Sequence, residues 1–344
     1  MQTLRQFPRR HIHAAFLITA LLVALTLAHP GPVRAEKAVI GYLPIMGFSP
    51  MFVATELGYF AEQGFEPQLE KFRTGGDIIA LLASGSVDVG AGSIATSLFN
   101  AIYDKLPIKV VGSATDQPEG YNSTPLLVSK ALWDSGKVKR IADLKGMKVA
   151  INAPRGLGEY YLAGALKQGG LTIDDIDLTT MAFPTMPEAL NRGAIAAAIL
   201  PQPLASRAID MKAALLLLRG DKITASPQAG VYYYGKNYLT KRDAGKRMMV
   251  ALIKAHRALD GDTHMTEPRI TAAIGKWTSL PPKIITSTRG YHFDVNGKLW
   301  EEGLADMQRY HVGRGYTKYK EPLPLSQMYD PEFLEAALAK LGRK

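Results

Sequence analysis

The chain builds one local pattern twice: the end of a helix, a glycine, and a short apolar strand that stops in small or turn-forming residues. The pattern occurs in LLASGSVDVGAGS (residues 81–93) and again in LNRGAIAAAILPQ (residues 190–202). Around each copy, the order strand–loop–helix–strand–loop–helix–strand is repeated. Strands that alternate with helices indicate βαβ units and a mostly parallel sheet. The repeat therefore predicts two small α/β lobes.

Chain length supports two lobes. The chain has 344 residues, of which 47% are hydrophobic, and single cores stop growing at roughly 250–300 residues. Residues 36–124 and 235–344 are predicted to form lobe I, and residues 125–234 to form lobe II. Two strand-like segments, residues 124–132 and 229–239, are predicted to cross between the lobes at the edges of lobe II. The predicted fold class is α/β, with two doubly wound lobes joined by two crossover strands and a helical C-terminal tail packed on lobe I.

The first 35 residues have the three parts of a secretory signal. Arg5, Arg9 and Arg10 precede the apolar run AAFLITALLVALTLA, and the segment ends in a Val-x-Ala pattern at Ala35. The run is short for a membrane span, which needs about 20 apolar residues. We expect cleavage after Ala35 and a periplasmic mature chain. An uncleaved anchor and a twin-arginine signal at Arg9-Arg10 are the alternatives.

Composition excludes several kinds of chemistry. The chain has no Cys, which excludes a thiol nucleophile, a Cys-ligated metal and a lipid-anchored Cys. Beyond residue 35 the formal charge is +6, from 37 basic and 31 acidic residues, and it forms no basic stripe with interleaved aromatics, so no nucleic acid is expected. Neither metal-ligand spacing nor a nucleophile elbow is present, so we predict no catalytic residue, no metal and no cofactor. His256, His264, His292 and His311 lie in the tail of the sequence, so we expect them to lie away from the strand-end loops.

Candidate binding groups are expected where the strands end. Ligands of open parallel sheets sit outside the carboxyl ends of the strands, and the free N–H groups at helix N-termini suit anions. Arg73 and Arg155, one in each lobe, could each bind two oxygens of a carboxylate or sulfonate; a surface or inter-lobe ion pair is the alternative. Glycines in these loops leave backbone amides uncovered, namely Gly75, Gly76, Gly92, Gly156 and Gly158.

Two other features have competing interpretations. Three consecutive aromatics, Tyr232, Tyr233 and Tyr234, lie on the return crossover, where alternate rings face opposite sides of a strand. One or two of the rings could line the cleft, or all three could pack in the core. The segment SVDVGAGSIA, with Asp116 further on, partly matches a dinucleotide-binding fingerprint. That interpretation is disfavoured because the segment follows the third strand rather than the first.

Four segments carry a family resemblance. GYFAEQGFEPQLEKF, IIALLASGSVDVGAGS, IADLKGMKVAI and ALNRGAIAAAIL resemble the periplasmic solute-binding proteins of the nitrate/sulfonate/taurine type, which serve ABC importers. The resemblance extends from the first strand to about Tyr238. It implies the type II periplasmic-binding-protein fold, in which two lobes close over a solute by hinge motion. It also implies a non-enzymatic monomer whose partners are a small-molecule ligand and a membrane permease with its ATPase.

The resemblance also implies where the ligand loops lie. The ligand is expected to be a small organic anion of the sulfonate or carboxylate type. Departures from the family pattern at APRGLG (residues 153–158) and LPQP (residues 200–203) leave its class open, with nitrate or a pyrimidine as other possibilities. With two tyrosines of the return crossover, the candidate ligand-binding residues are Met46, Gly47, Phe48, Ser49, Arg73, Thr74, Gly75, Gly76, Gly92, Ser93, Thr96, Asn152, Arg155, Gly156, Gly158, Gln202, Tyr232 and Tyr233.

Two rival functions share the same expected architecture. One is a cytoplasmic enzyme related to pyrimidine-synthesising enzymes or to menaquinone-pathway dehydratases. The secretory signature argues against both, and the absence of Cys argues against the former. The other is a ligand-recognition protein that passes its closed state to a membrane sensor, which would need the same pocket.

Overall fold

The computed structural model describes residues 35–225 and 228–344. The predicted secretory signal lies outside these residues, apart from Ala35, and stays a prediction. Residues Lys37–Lys344 form one compact unit. Within the described ranges, no helix combines the length and the apolar character that a bilayer crossing requires.

The described residues form ten strands in two five-stranded sheets. The first sheet has the order β2-β1-β3-β10-β4, and the second has the order β7-β6-β8-β5-β9. In chain order the strands are β1 (Glu36–Tyr42), β2 (Phe65–Lys71), β3 (Val89–Ser93), β4 (Lys109–Asp116), β5 (Leu126–Ser129), β6 (Lys148–Ile151), β7 (Asp177–Thr180), β8 (Ala197–Ile199), β9 (Ala214–Leu218) and β10 (Gln228–Tyr234).

Helices connect the strands and form the C-terminal tail. The tail, which begins after β10, contains the last seven of the fifteen α-helices described. In chain order they are α1 (Ser49–Glu56), α2 (Tyr59–Glu62), α3 (Gly75–Ser84), α4 (Thr96–Tyr103), α5 (Lys130–Asp134), α6 (Leu157–Gln168), α7 (Met186–Asn191), α8 (Leu204–Asp210), α9 (Lys236–Thr240), α10 (Arg242–Ala258), α11 (Pro268–Thr278), α12 (Pro282–Ser287), α13 (Glu301–Gly313), α14 (Leu325–Met328) and α15 (Glu332–Leu341).

The central strands of the second sheet are buried on both faces, as their sequence pattern requires. In β6, Val149 and Ile151 pack in the main hydrophobic core with residues of α6. Ala150, between them, faces a separate cluster that contains Met186 and Leu190 of α7. Side chains alternate between the faces of a strand, so a strand covered on both sides must be apolar throughout. This arrangement confirms the predicted α/β fold with helices on both faces of a sheet.

The predicted crossovers are wrong in their placement. β10 does not lie at an edge of lobe II; it runs antiparallel between β3 and β4 in the first sheet. β5 lies inside the second sheet, antiparallel to both β8 and β9. Each sheet is therefore mixed rather than wholly parallel, because each receives one strand from a segment that has just crossed from the other. The predicted lobe II boundary at Tyr234 is too late by the length of β10.

Glycines in β3 let both α3 and the Tyr233 ring of β10 approach closely. A β-carbon on Gly90 would lie 2.7 Å from Cγ2 of Ile78, and one on Gly92 would lie 3.1 Å from the Tyr233 ring. The Tyr233 ring therefore occupies the space that side chains on β3 would fill. This packing accounts for the Gly-x-Gly pattern that the dinucleotide fingerprint shares.

Helix α1 begins at Ser49, directly after Phe48. The Ser49 hydroxyl donates back to the Met46 carbonyl at 2.6 Å. Gly64 follows α2 with a φ of 82°, a left-handed backbone conformation that suits a residue just after a helix.

Two fully buried histidines make stability depend on pH. His256 accepts a hydrogen bond from Tyr232 and donates from Nδ1 to the Asp294 carbonyl, both at 2.9 Å. Burial lowers the pKa of His256, and that of His311, to about 4. Since the unfolded side chain has a pKa near 6.5, the unfolded state binds more protons below that pH. The stability that neutral His256 and His311 contribute is therefore present above pH 6.5 and is lost as the pH falls toward 4.

We predict that lowering the pH from 7 to 5 reduces the free energy of unfolding by about 2 kcal/mol for each of these histidines. Denaturant unfolding at the two pH values measures the loss. In His256→Asn, whose side-chain amide can still donate to Asp294, the pH dependence should shrink by about 2 kcal/mol. An unchanged pH dependence in that variant would contradict the assignment.

Candidate ligand-binding site

A cavity of about 350 Å³ lies where loops from both lobes meet. The loops follow β1, β2 and β3 of the first sheet and β6 of the second, so the cavity lies at the carboxyl ends of these strands, as expected for an open α/β sheet. The lining consists of Leu43, residues 74–76, Ser93, residues 95–97, Asn100 and residues 152–158.

Three helices begin at this cavity. α3 starts at Gly75, α4 at Thr96 and α6 at Leu157. The first backbone N–H groups of a helix have no partner within the helix, and the helix dipole places partial positive charge there. Because helix starts from both lobes face one small space, the partial positive charges of three helix N-termini converge on the cavity.

Acidic side chains near these helix starts are turned toward the backbone. Asp77 forms a capping box with Thr74, accepting a hydrogen bond from the Thr74 N–H at 3.0 Å. Glu159 accepts from the Arg155 N–H at 2.7 Å. Among the described residues that line the cavity, none carries a carboxylate side chain. The polar part of the lining is formed by hydroxyls, amides, backbone N–H groups and Arg155.

The two lobes are hydrogen-bonded to each other across the edge of the cavity. The Arg155 carbonyl accepts from the Thr96 N–H at 3.0 Å and from the Thr96 hydroxyl at 3.2 Å. Ala95 and Gly156 form an isolated antiparallel bridge beside this contact. Thr96 follows a strand of the first sheet and Arg155 a strand of the second, so these bonds join the two lobes at the edge of the cavity.

Arg155 has an unusual backbone conformation. Its φ is 57°, in the left-handed region that non-glycine residues rarely adopt. Its N–H is held by Glu159 and its carbonyl by Thr96. Its guanidinium lies over the Tyr316 ring, 4.9 Å from the ring centre. The backbone of Arg155 thus forms part of the contact between the lobes, while its side chain lies at the cavity rim.

Tyr233 of β10 supports the end of β3 at the cavity. The buried Tyr233 hydroxyl donates to the Ser93 carbonyl at 2.6 Å. Burial raises the pKa of Tyr233, so the hydroxyl stays protonated and remains a donor. Gly75 lies against the same residue, since a β-carbon on Gly75 would be 3.0 Å from the Ser93 carbonyl oxygen. The end of β3 and the start of α3 are therefore held in close contact.

Half of the residues predicted from the sequence line this cavity. They come from three of the predicted loops, and Arg73 lies exposed next to them. The predicted residues in the lining are Thr74, Gly75, Gly76, Ser93, Thr96, Asn152, Arg155, Gly156 and Gly158.

The other predicted residues lie outside the lining. Tyr232 and Tyr233 are fully buried. Met46, Gly47, Phe48 and Ser49 are also buried, because the tail covers this loop: a β-carbon on Gly47 would lie 3.3 Å from the Tyr291 ring.

Gly92 and Gln202 also lie outside the lining, where they contact other parts of the protein. Gly92 faces the Tyr233 ring, as described above. The Gln202 side chain accepts from the N–H and the hydroxyl of Ser206 at the start of α8. The Gln202 carbonyl accepts from the Tyr291 hydroxyl at 2.8 Å.

Sequence reasoning missed several residues of the lining. Ser97 and Asn100 lie one and four positions after Thr96 on α4, and the helical spacing from Thr96 could have identified Asn100. The remaining missed residues are apolar, namely Leu43, Ala95, Ala153, Pro154 and Leu157. They carry no chemical signal that separates a cavity wall from ordinary packing.

A family model describes most of the chain. The model of the NMT1-like family matches residues 31–274. The chain belongs to the NMT1-like family. The matched range includes every loop that lines the cavity and ends within α11, before the remainder of the tail.

Individual relatives are more distant. The chain is 21% identical to the nitrate/nitrite binding protein NrtA of Nostoc sp., over 86% of this chain and 70% of the relative. It is 28% identical to the 4-amino-5-hydroxymethyl-2-methylpyrimidine phosphate synthase of Aspergillus parasiticus, over 44% of this chain and 41% of that enzyme. Both a binding protein and an enzyme are therefore among its relatives.

Solved structures share the fold. The periplasmic nitrate-binding protein NrtA from Synechocystis superposes with a TM-score of 0.73 at 15% identity, over 90% of each chain. The alkanesulfonate-binding protein SsuA from Xanthomonas axonopodis pv. citri, bound to MOPS, superposes with a TM-score of 0.66 at 17% identity. That match covers 86% of this chain and 99% of SsuA. At these identities the likeness shows the fold, which is that of the predicted family.

We predict that Gly75→Ala destabilises the protein by about 1–3 kcal/mol, because the new β-carbon would press on the Ser93 backbone. Gly156→Ala is the matched control in the same lining, since its β-carbon would meet only the Ala95 side chain, at 3.9 Å. Thermal unfolding of the two variants provides the test. Equal melting temperatures would show that α3 and β3 are not in the close contact described.

Proposed function

We propose that this protein is the extracytoplasmic solute-binding component of an ABC importer. It captures a small organic anion of the sulfonate or carboxylate type between its lobes and delivers it to a membrane permease that works with an ATPase. The observation that carries the proposal is the convergence of three helix N-termini, from both lobes, on a cavity whose described lining contains no carboxylate side chain.

Electrostatics supports an anion as the ligand. Free N–H groups and the partial positive charge of each helix start suit oxygen atoms that carry negative charge. Hydroxyls and amides of Ser93, Ser97 and Asn152 add neutral donors to the lining. Arg155 at the rim, and Arg73 next to the lining, supply full positive charges. An anion bound here would also be shielded from water by both lobes, which strengthens each of these interactions.

Cavity size and the known relatives agree with this choice. A volume of about 350 Å³ lies at the lower end of the roughly 300–1,000 Å³ range of small-molecule sites, which favours a compact ligand. Two relatives are named for binding nitrate or nitrite and alkanesulfonate, and all of these ligands are oxyanions. Since nitrate is much smaller than the cavity, we favour an organic sulfonate or carboxylate.

Binding is favoured over catalysis by the chemistry of the lining. General acid–base catalysis needs a titratable group within reach of the reacting atom. Among the described residues that line the cavity there is no His, Asp, Glu or Lys. The similarity to a pyrimidine phosphate synthase covers less than half of either chain. The lining can hold a solute. Because one relative is an enzyme, formation of a product from the bound compound would overturn the proposal.

Location follows from the predicted secretory signal. Arg5, Arg9 and Arg10, the apolar run after them and the exit at Ala35 favour export to the periplasm. There the protein would act as a monomer that presents its loaded, closed form to the permease. The same closed form could be read by a membrane sensor, which is the remaining alternative for the partner.

We predict that a thermal-shift panel of sulfonates, carboxylates, nitrate and pyrimidines finds its strongest stabilisation with an organic sulfonate or carboxylate. For the best anion, Arg155→Ala and Arg73→Ala should each weaken binding by roughly 10–100-fold, because a hydrogen bond to a charged group contributes about 1.5–3 kcal/mol. Arg192→Ala is the control, since Arg192 is exposed directly after α7 and pairs with Glu188.

Calorimetric titration of the three variants decides the point. If Arg73→Ala and Arg155→Ala both stay folded and neither loses fivefold in affinity, the site relies on backbone amides and neutral side chains. An uncharged solute would then be favoured over an anion. Consumption of the bound compound would instead identify an enzyme.

A further inference from the structure

Helix α13 of the tail contacts both lobes through two different faces. Asp306, Tyr310 and Arg314, the last of them directly after the helix with helical backbone angles, are spaced four residues apart and therefore share one face. Each contacts the second lobe: Tyr160 donates to Asp306, Tyr310 donates to Glu159, and Arg314 pairs with Asp174. Another face packs on the first lobe, with Leu304, Met307, Gln308 and His311 buried.

Two adjacent residues of this helix hold the two cavity loops together. Tyr310 donates to the Glu159 carboxylate at 3.0 Å, and the same carboxylate accepts from the Arg155 N–H. On the other side, His311 Nδ1 hydrogen-bonds the Thr96 hydroxyl at 3.0 Å. Since Thr96 also bonds to the Arg155 carbonyl, the contacts form a closed ring. We call this ring, made of Thr96, Arg155, Glu159, Tyr310 and His311, the clasp.

Burial decides which of the α13 contacts matters most. Asp174 is 69% exposed, and exposed ion pairs contribute little. Glu159 is 1% exposed, so its carboxylate depends on protein donors when the lobes are closed. Burial, together with the neighbouring Glu159 carboxylate, raises the pKa of Tyr310, and its hydroxyl remains a donor. Loss of the Tyr310 hydroxyl would therefore weaken the closed form more than the loss of the exposed ion pair.

We propose that Tyr310 is a positioning residue that sets ligand affinity through the clasp, because it holds the loop of residues 152–158 against the first lobe before any solute binds. The inference rests on the proposed function, since it concerns the same cavity. Tyr310 is absent from the cavity lining, so it acts on the ligand only through Glu159 and Arg155. The ligand-free protein populates the closed arrangement to an extent that the clasp determines.

The consequence for affinity follows from population arithmetic. When only part of the molecules is in the binding-competent state, the apparent dissociation constant rises as that fraction falls. A hydrogen bond to a charged group corresponds to about a tenfold change or more in an equilibrium constant. Tyr310→Phe should therefore lower the ratio of closed to open molecules about tenfold while it leaves the lining unchanged. The affinity should fall by up to about tenfold, in proportion to the closed fraction.

The chain suits a distance measurement because it contains no Cys. Glu70→Cys on β2 and Thr180→Cys on β7 place spin labels at exposed positions near the ends of the edge strands of the two sheets. Pulsed electron paramagnetic resonance of the ligand-free protein then reports the proportions of short and long separations. Tyr319→Phe is the matched control, since the Tyr319 hydroxyl accepts only from Gln308, on the lobe I face of α13, among the hydrogen bonds described.

The expected result is a short-distance component in the parent protein that falls about tenfold relative to the long one in Tyr310→Phe and is retained in Tyr319→Phe. Glu159→Gln, which places an amide against the Arg155 N–H, should act in the same direction. Equal distance distributions in the parent protein and in folded Tyr310→Phe would overturn the inference. Because this measurement needs no ligand, it remains decisive if the anion panel fails.

As a second measurement, titration with a short-chain alkanesulfonate should show an affinity loss in Tyr310→Phe that equals the fall in the closed fraction measured from the distances, and none in Tyr319→Phe. An unchanged affinity in Tyr310→Phe, with binding intact in the parent protein, would contradict the clasp alone. Absence of binding in the parent protein would count against the proposed ligand class alone.

Discussion

The hydrogen bonds between Thr96 and the Arg155 carbonyl are the contact on which the site depends. They join the start of α4 to the loop before α6, and thereby bring helix N-termini from two separate sheets to one cavity. A single lobe would present its helix starts to water, where a bound anion gains little. Closure of the two lobes converts the same backbone groups into an enclosed, donor-rich site.

The contact between the lobes has structural requirements that extend from the cavity lining to the tail. Arg155 must adopt a left-handed backbone, and Glu159 holds its N–H in that conformation. Glu159 in turn is held by Tyr310 of the tail. A helix near the C-terminus, outside the range that the family model matches, therefore supports the geometry of the site. The tail therefore contacts and supports the cavity loops, in addition to covering lobe I.

The sequence was sufficient for the architecture because its signals are local. Alternation of apolar strands and helices predicted two α/β lobes, and glycines at helix starts predicted most of the loops that line the cavity. The position of β10 could not be predicted, because the register of Tyr233 against Gly90 depends on pairing between segments more than a hundred residues apart. Likewise, nothing near Met46 or Phe48 signals that Tyr291 covers that loop. The clasp also escaped sequence reasoning, since Tyr310 and Glu159 are separated by most of the second lobe and the tail.

The central claim is that one solute is enclosed by loops of both lobes, and hydrogen–deuterium exchange tests it most directly. Exchange of the purified protein should be compared with and without a saturating organic sulfonate or carboxylate that stabilises it. The account predicts slower exchange in both residues 74–97, at the starts of α3 and α4, and residues 152–158, before α6. Slower exchange in only one of these segments would show a ligand bound to a single lobe and would contradict the account.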